Sequence, residues 1–200
     1  AAVLWFTWKN RLSTLSVGDM ALATAPIGIF FGRLANFING ELWGRETTVP
    51  WAIRFCNATI EKTYGMCPAG DVPRHPSQLY EAGLEGLFLF ALLSFAIWKL
   101  KLLAKPGYVT GLFLVGYGLS RVALENVRQP DAGLDNFPLG LTMGILLSTP
   151  MILIGLWLVT WLAIPPLVKG PLERIASEQL GRAVTIGGID FQPWSLKFAL

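Results

Sequence analysis

An apolar run from Met20 to Phe31 leads straight into Gly32-Arg33-Leu34-Ala35-Asn36-Phe37-Ile38-Asn39-Gly40-Glu41-Leu42-Trp43-Gly44-Arg45, and this junction limits what the chain can fold into. An arginine at the end of a membrane-length apolar segment is costly to hold in lipid, so it must face protein or water and marks a candidate site by default. Gly28, Gly32 and Asn36 recur every fourth residue, which gives the helix one small face that a second helix can approach closely. Arg33 and Asn36 lie three apart and sit side by side if the helix continues that far. Gly40 and Gly44 give the backbone freedom to turn away after Asn39.

Composition agrees with a membrane protein. The 200 residues are 53% hydrophobic and 14% charged, against about 25% charged for a soluble domain. Mean hydropathy is +0.51. The net charge of +3 comes from scattered basic residues, with no basic block of the kind that binds nucleic acid. Cys56 and Cys67 are too few for a disulfide scaffold, and they lack the CxxC spacing of a zinc site. The chain opens at Ala1 inside an apolar stretch without a signal peptide, so it reads as a fragment.

The expected architecture is an all-α polytopic membrane protein with about four complete spans, a partial N-terminal one, a small periplasmic cap and a short α+β tail. Residues 1–8 read as the end of a helix, and Lys9 with Arg11 as a cytoplasmic turn. Val17 to Phe37 is the first complete span, near the ~20 residues a crossing requires. Residues 39–76 are polar and balanced in charge, and read as the cap. Cys56 and Cys67 lie in it, either as a disulfide or as two buried thiols. Ser77 to Trp98 is the next span, with Gln78, Glu81 and Glu85 on one face. Lys99, Lys101 and Lys105 follow without an acid, the clearest positive-inside signal in the chain. Tyr108 to about Val127 returns outward. Within it Tyr117, Arg121, Glu125 and Arg128 fall on one stripe, which must face the protein interior or a wet cavity. Asp131 to Phe137 reads as an outer loop and Leu139 to Trp161 as the last span.

The stretch from Gly32 to Arg45 resembles the signature of the prolipoprotein diacylglyceryl transferases, bacterial membrane enzymes that lipidate lipoprotein precursors. Arg74-His75-Pro76-Ser77-Gln78-Leu79-Tyr80-Glu81 resembles a second family motif. Gly116-Tyr117-Gly118-Leu119-Ser120-Arg121, followed by Glu125 and Arg128-Gln129-Pro130-Asp131, resembles a third. The resemblance covers about residues 1–161. It implies transfer of the diacylglyceryl group of phosphatidylglycerol to the thiol of a lipobox cysteine in a prolipoprotein, with loss of glycerol phosphate. The enzyme would lie in the bacterial inner membrane, with its site near the periplasmic face. The bond broken is carbon–oxygen, so the site needs a cationic clamp for phosphate, a way to deprotonate the thiol, and lateral access from lipid. That list requires no metal and no soluble cofactor.

Arg33 and Arg121 fit the clamp, because a guanidinium is a permanently charged fork that binds phosphate oxygens bidentately. The bland alternative is that each pairs with a carboxylate such as Glu125 or Glu85. Asn36 and Asn39 are candidate donors to the head group, with a helix-exit cap as the alternative, better suited to Asn39. Glu41 would orient an arginine, and Gly44 would line the lipid site or shape the backbone. Tyr117 would bond phosphate or thiol. Arg121, Tyr117, Asn36 and Glu41 are the expected catalytic group; Arg33, Arg121, Asn39 and Gly44 the lipid-binding group; Glu125, Arg128 and His75 the supporting group. The resemblance places an important histidine upstream of the signature; His75, at the membrane surface, reads as a helix-capping residue at least as readily as a catalytic one and is not assigned the base role.

Residues 162–200 break the pattern. They read as a short amphipathic helix, about Pro171 to Leu180, then alternating runs Ala183 to Phe191 and Ser195 to Leu200, with Gln192-Pro193-Trp194 as a hairpin-like break. This tail resembles the segment after the membrane anchor in AsmA-like envelope proteins, as in a fusion near Trp161. Two other functions stand beside the transferase: a non-catalytic lipid-handling envelope protein, and a transporter with a buried arginine pathway, against which the chain shows no internal repeat. An inactive transferase fragment is the third alternative.

Overall fold

The computed structural model describes residues 2–56, 58–130, 141–187, 190–192 and 197–199. Six α-helical elements dominate among the described residues: α1 (Ala2–Lys9), α2 (Thr14–Asn39), α3 (Ala58–Tyr64), α4 (Ser77–Trp98), α5 (Tyr108–Leu124) and α6 (Met143–Leu180). Three of them, α2, α4 and α6, are long and apolar enough to cross a membrane. The expected span ending near Val127 forms only the 17-residue α5, short of the ~20 that a full crossing takes.

Each end of α2 is written in its sequence. The Ser13 side chain accepts from Ser16 N at 3.3 Å, an N-cap. Gly40, in the left-handed region at φ 69°, ends the helix and donates back to Phe37 O at 3.1 Å. Buried Leu89, Leu93, Val109 and Phe113 form the core between α4 and α5, and Leu22, Ala23 and Ile29 of α2 pack onto it.

The small face expected from Gly28 and Gly32 receives no neighbour among the described residues: a Cβ on either would meet nothing within 4 Å. Close helix approach occurs elsewhere. A Cβ on Gly86 would lie 2.7 Å from Phe30 Cβ, which joins α4 to α2. A Cβ on Gly111 or Gly118 of α5 would lie 2.6 Å from Val159 or Ile152 of α6. The fourfold spacing reports the helix face correctly, but only packing decides which small residues are used.

A buried acid orders the opposite end. Asp19 of α2 is fully buried and accepts from Gly107 N, Thr110 N and Thr110 Oγ1, each at 2.7 Å. It caps the first turn of α5 from another helix, satisfying donors that α5 cannot satisfy itself. The start of α2 therefore lies beside the start of α5, and the ends of both helices share the other side.

That other side carries the segment between α2 and α4, folded over the helix ends. Phe55 is buried and meets Phe37 edge-on at 6.0 Å. Cys56 and Cys67 form a disulfide, which decides between the two readings of those residues. Arg74 bonds Ala69 O at 2.7 Å, and pairs by backbone with Ile53 and Glu46.

Two departures concern the last third. The helix begun at Met143 does not stop near Trp161: it runs on to Leu180 through Pro165, Pro166 and Pro171, absorbing the separate amphipathic helix. Proline removes a hydrogen bond without forbidding the fold where neighbouring groups compensate. Beyond it the backbone of 183–187 is held to the helix by Val184 N to Ser177 Oγ (2.9 Å) and Ile186 N to Glu173 Oε1 (2.8 Å). The alternating runs shrink to two short antiparallel strands, β1 (Asp190–Gln192) and β2 (Lys197–Ala199). The predicted outer loop at Asp131 to Phe137, and Pro193-Trp194, lie outside the described residues.

Candidate active site

Arg33 sits near the end of α2 and turns into the bundle, where two acids of α4 meet it. Arg33 Nη1 lies 2.7 Å from Glu81 Oε2, and Arg33 Nη2 donates to Glu85 Oε2 at 3.2 Å. Both glutamates are fully buried. A seven-residue π-helical stretch, Ala82–Phe88, interrupts α4 at this point and contains Glu85. Such wide turns are rare and concentrate at functional positions.

The second arginine comes from α5. Arg121 Nη1 lies 3.1 Å from Glu125 Oε2, one turn on. Tyr117 stacks on Phe113 at 5.7 Å. It lies within electrostatic range of Glu85, Arg33, Arg121 and Glu81, and Glu85 within range of Arg121. Arg128 Nη1 lies 3.6 Å from Glu81 Oε1 and so ties the end of the stripe to the same acid as Arg33. Two ion-pair groups result, Arg33 and Arg128 with Glu81 and Glu85, and Arg121 with Glu125, and Tyr117 lies within electrostatic range of both arginines. Glu81 is the member that sequence reasoning passed over, although its place beside Gln78 and Glu85 on one face was the available signal. The carboxylate pairing held out as the bland alternative for the arginines is present, and Arg121, Glu125 and Arg128 also line open space.

That space is a cavity of about 300 Å³ bounded by Tyr117, Arg121, Glu125 and Arg128, with Thr142 and Ser148 opposite. Gly144 permits it: a Cβ there would strike the Glu125 carboxylate. A second groove of about 260 Å³, lined by Pro26, Ile27, Phe30, Phe31, Gly86 and Phe90 among others, is wholly apolar and lies one turn from Arg33 and Glu85.

The rest of the first motif divides. Asn36 lies one turn after Arg33, half-buried, and its carbonyl accepts from Glu41 N at 3.0 Å. Asn39 is exposed and donates to Glu41 Oε1 at 3.1 Å, so this pair forms the helix exit. No ion pair joins Glu41 to an arginine among the described residues. Gly44 is buried between two segments of the backbone: its N–H donates to His75 O at 3.0 Å, and a Cβ would lie 2.6 Å from both His75 O and Val127 O. Its place is set by backbone packing. Leu42, at φ 56°, sits in a conformation that side chains disfavour. Buried α4 residues hold that turn: Ser77 Oγ donates to Leu42 O at 3.2 Å and Gln78 Nε2 to Glu41 O at 2.7 Å. His75 stands in a different chain of contacts, with its Nδ1 3.3 Å from Tyr80 Oη, which accepts from Trp51 Nε1 at 2.6 Å.

No group of three or more metal-ligating side chains occurs among the described residues. The arrangement offers what an anionic head group next to lipid would use: three guanidiniums, one phenol and an apolar groove alongside.

Comparison with known proteins gives the same family over most of the sequence. A family model described as prolipoprotein diacylglyceryl transferase matches residues 1–161. A phosphatidylglycerol–prolipoprotein diacylglyceryl transferase of Caulobacter sp. (strain K31) is 57% identical over 175 residues, 87% of this chain and 58% of its own length. One from Phenylobacterium zucineum (strain HLK1) is 59% identical over 158 residues, 79% of this chain and 55% of its own. One from Zymomonas mobilis is 51% identical over 158 residues. The chain thus spans little more than half the length of these relatives. With the motifs and the matched length together, the chain belongs to the prolipoprotein diacylglyceryl transferase family.

Proposed function

We propose that this chain forms the lipid-donor half of a phosphatidylglycerol–prolipoprotein diacylglyceryl transferase. The observation that carries the reading is that Arg33 and Arg121, from separate helices, both lie within electrostatic range of Tyr117 and Glu85, beside an apolar groove. In the proposed reaction a lipobox cysteine thiolate attacks the glycerol carbon bound to the phosphodiester oxygen. The carbon–oxygen bond breaks, a thioether forms, and glycerol phosphate leaves with the bonding pair.

The chain's own groups do the following. Arg33 and Arg121 hold the phosphate and stabilise the charge that grows on it, where low dielectric makes them far more effective than in water. Tyr117 donates to a phosphate oxygen. Glu81 positions Arg33 and Arg128 together, and Glu125 positions Arg121. Asn36 reaches the head group from the Arg33 side. Asn39, Glu41 and Gly44 fix the helix exit and the cap. His75 supports the cap with Tyr80. The acyl chains enter sideways along Phe30, Phe31 and Phe90.

The expected setting is the inner membrane. Four spans and a partial one would place Lys9, Arg11, Lys99, Lys101 and Lys105 inside and the cap in the periplasm. Residues 162–200 would be a separate segment with no part in the chemistry. The AsmA-like reading rests on that tail alone, and nothing in residues 1–161 supports it.

The test uses a chimera in which residues 1–161 replace the matching part of the Caulobacter relative. Arg33→Ala and Arg121→Ala are expected to lower transfer of labelled diacylglyceryl groups to a lipobox peptide by about 10²-fold or more. Near-normal turnover in Arg33→Ala removes the clamp assignment.

A further inference from the structure

Two spaces of opposite character adjoin the two arginines. The groove lined by Ile27, Phe30 and Phe90 lies beside Arg33, between α2 and α4, and is wholly apolar. The cavity of about 300 Å³ lies between α5 and α6, with Arg121 in its wall. A phosphate held by Arg33 and Arg121 therefore has an apolar groove at its Arg33 end and a polar chamber at its Arg121 end. A phosphodiester has two arms, and these spaces tell them apart. Acyl chains lose little in passing from bilayer to an apolar groove. A hydroxylated arm placed there would strand its hydrogen-bonding groups, and it keeps them only in the chamber. A water molecule's share of liquid volume is about 30 Å³, so the chamber has room for the heavy atoms of a glycerol.

The wall of the chamber singles out the group that reads this arm. Arg121 and Glu125 pair at 3.1 Å, Arg128 reaches Glu81 at 3.6 Å, and the Thr142 hydroxyl caps α6 by accepting from Ile145 N at 3.4 Å. The hydroxyls of Tyr117 and Ser148 make no hydrogen bond among the described residues. On the clamp reading Tyr117 serves the phosphate, which leaves Ser148. This serine is 2% exposed and still lines the chamber. Close packing brings it there: a Cβ on Gly118 of α5 would lie 3.2 Å from Ser148 O, so Ser148 stands at the level of Tyr117 and Arg121. Leu147 and Met151, beside it in the same wall, are apolar. A hydroxyl buried without a partner is costly, and a ligand hydroxyl that reaches it recovers the loss.

We propose that the chamber between α5 and α6 is the glycerol head-group pocket, in which the Ser148 hydroxyl hydrogen-bonds a head-group hydroxyl and so selects phosphatidylglycerol among lipids of the same phosphate charge. The inference rests on the clamp reading above and deepens it. It gives the bound lipid a direction, with acyl chains at the Arg33 end and glycerol at the Arg121 end. The arm that departs with the phosphate is then the one held between α5 and α6.

The test is lipid titration of the full 200-residue chain in detergent. Two lipids are compared in mixed micelles: phosphatidylglycerol, and phosphatidylmethanol, which has the same phosphodiester charge without the glycerol. The parent should bind phosphatidylglycerol about twofold to tenfold more tightly, the worth of one hydrogen bond. Ser148→Ala should bring the two affinities together by weakening phosphatidylglycerol alone. Equal weakening of both lipids would mark Ser148 as merely structural and overturns the proposal. Equal affinities in the parent, a comparison that needs no variant, or selectivity unchanged in Ser148→Ala, overturn it as well. In each of these cases phosphatidylmethanol binding that falls in Arg33→Ala leaves the clamp standing. Soluble glycerophosphoglycerol, which has no acyl chains, should not displace the lipid at equal concentration, and displacement overturns the assignment to a lipid. Absence of binding of either lipid to the parent overturns the clamp itself and the proposal with it.

Discussion

Arg33 and Glu81 lie 48 positions apart in the chain and 2.7 Å apart in the fold. The contact joins the first motif to the second, and Glu81 passes it on to Arg128 in the third. Breaking a buried ion pair from one side leaves the other charge without its partner and costs about 3–5 kcal/mol. Glu81→Leu should therefore lower the melting temperature in detergent sharply. A variant as stable as the parent would show that Arg33 does not depend on Glu81.

Gly44→Ala should loosen the cap. Its Cβ would enter space already held by two backbone carbonyls at 2.6 Å, so backbone must move rather than a flexible side chain. Overpacking of this kind costs about 1–3 kcal/mol. Limited proteolysis should then cut residues 39–76 faster in the variant, with the helices still protected. An unchanged cleavage rate would mean that the cap tolerates the displacement.

Much of this was legible in the residues. Apolar length placed α2 and α4, and the rule that charge inside a span must face protein brought Arg33, Tyr117, Arg121 and Arg128 to one interior. The π-helical stretch was not legible, because no local sequence rule separates it from an α-helix. The end of α6 was not legible, because a membrane-length apolar run closes near Trp161 while the helix itself continues through Pro165, Pro166 and Pro171 into a charged segment ending at Leu180. Asp19 had a signal that went unused: a lone acid in an apolar helix needs a partner, and here the partner is the first turn of α5.

Asp19→Ala removes the acceptor for two backbone N–H groups and the Thr110 hydroxyl. Stranded buried donors cost about 1–3 kcal/mol each. Hydrogen exchange should rise at Gly107 and Thr110 before it rises near Arg33. Equal protection in variant and parent would show that α5 does not need this cap.

The Cys56–Cys67 disulfide bears on sidedness. Such bonds persist in oxidising compartments such as the periplasm. Peptide mapping of protein taken from cells with thiols blocked should recover the two cysteines as one linked peptide. Recovery of both as alkylated thiols would contradict a periplasmic cap.

On the clamp reading Arg33 and Arg121 grip the same phosphate, which a double-mutant cycle on phosphatidylglycerol binding would reveal. Arg33→Gln, Arg121→Gln and the double variant would be titrated with the lipid in mixed micelles. If both groups hold one phosphate, the losses are coupled, and the double variant binds more tightly than the sum of the single losses predicts, by more than the ~0.5 kcal/mol within which independent sites add. Strictly additive losses, or lipid binding untouched in either single variant, would contradict the account.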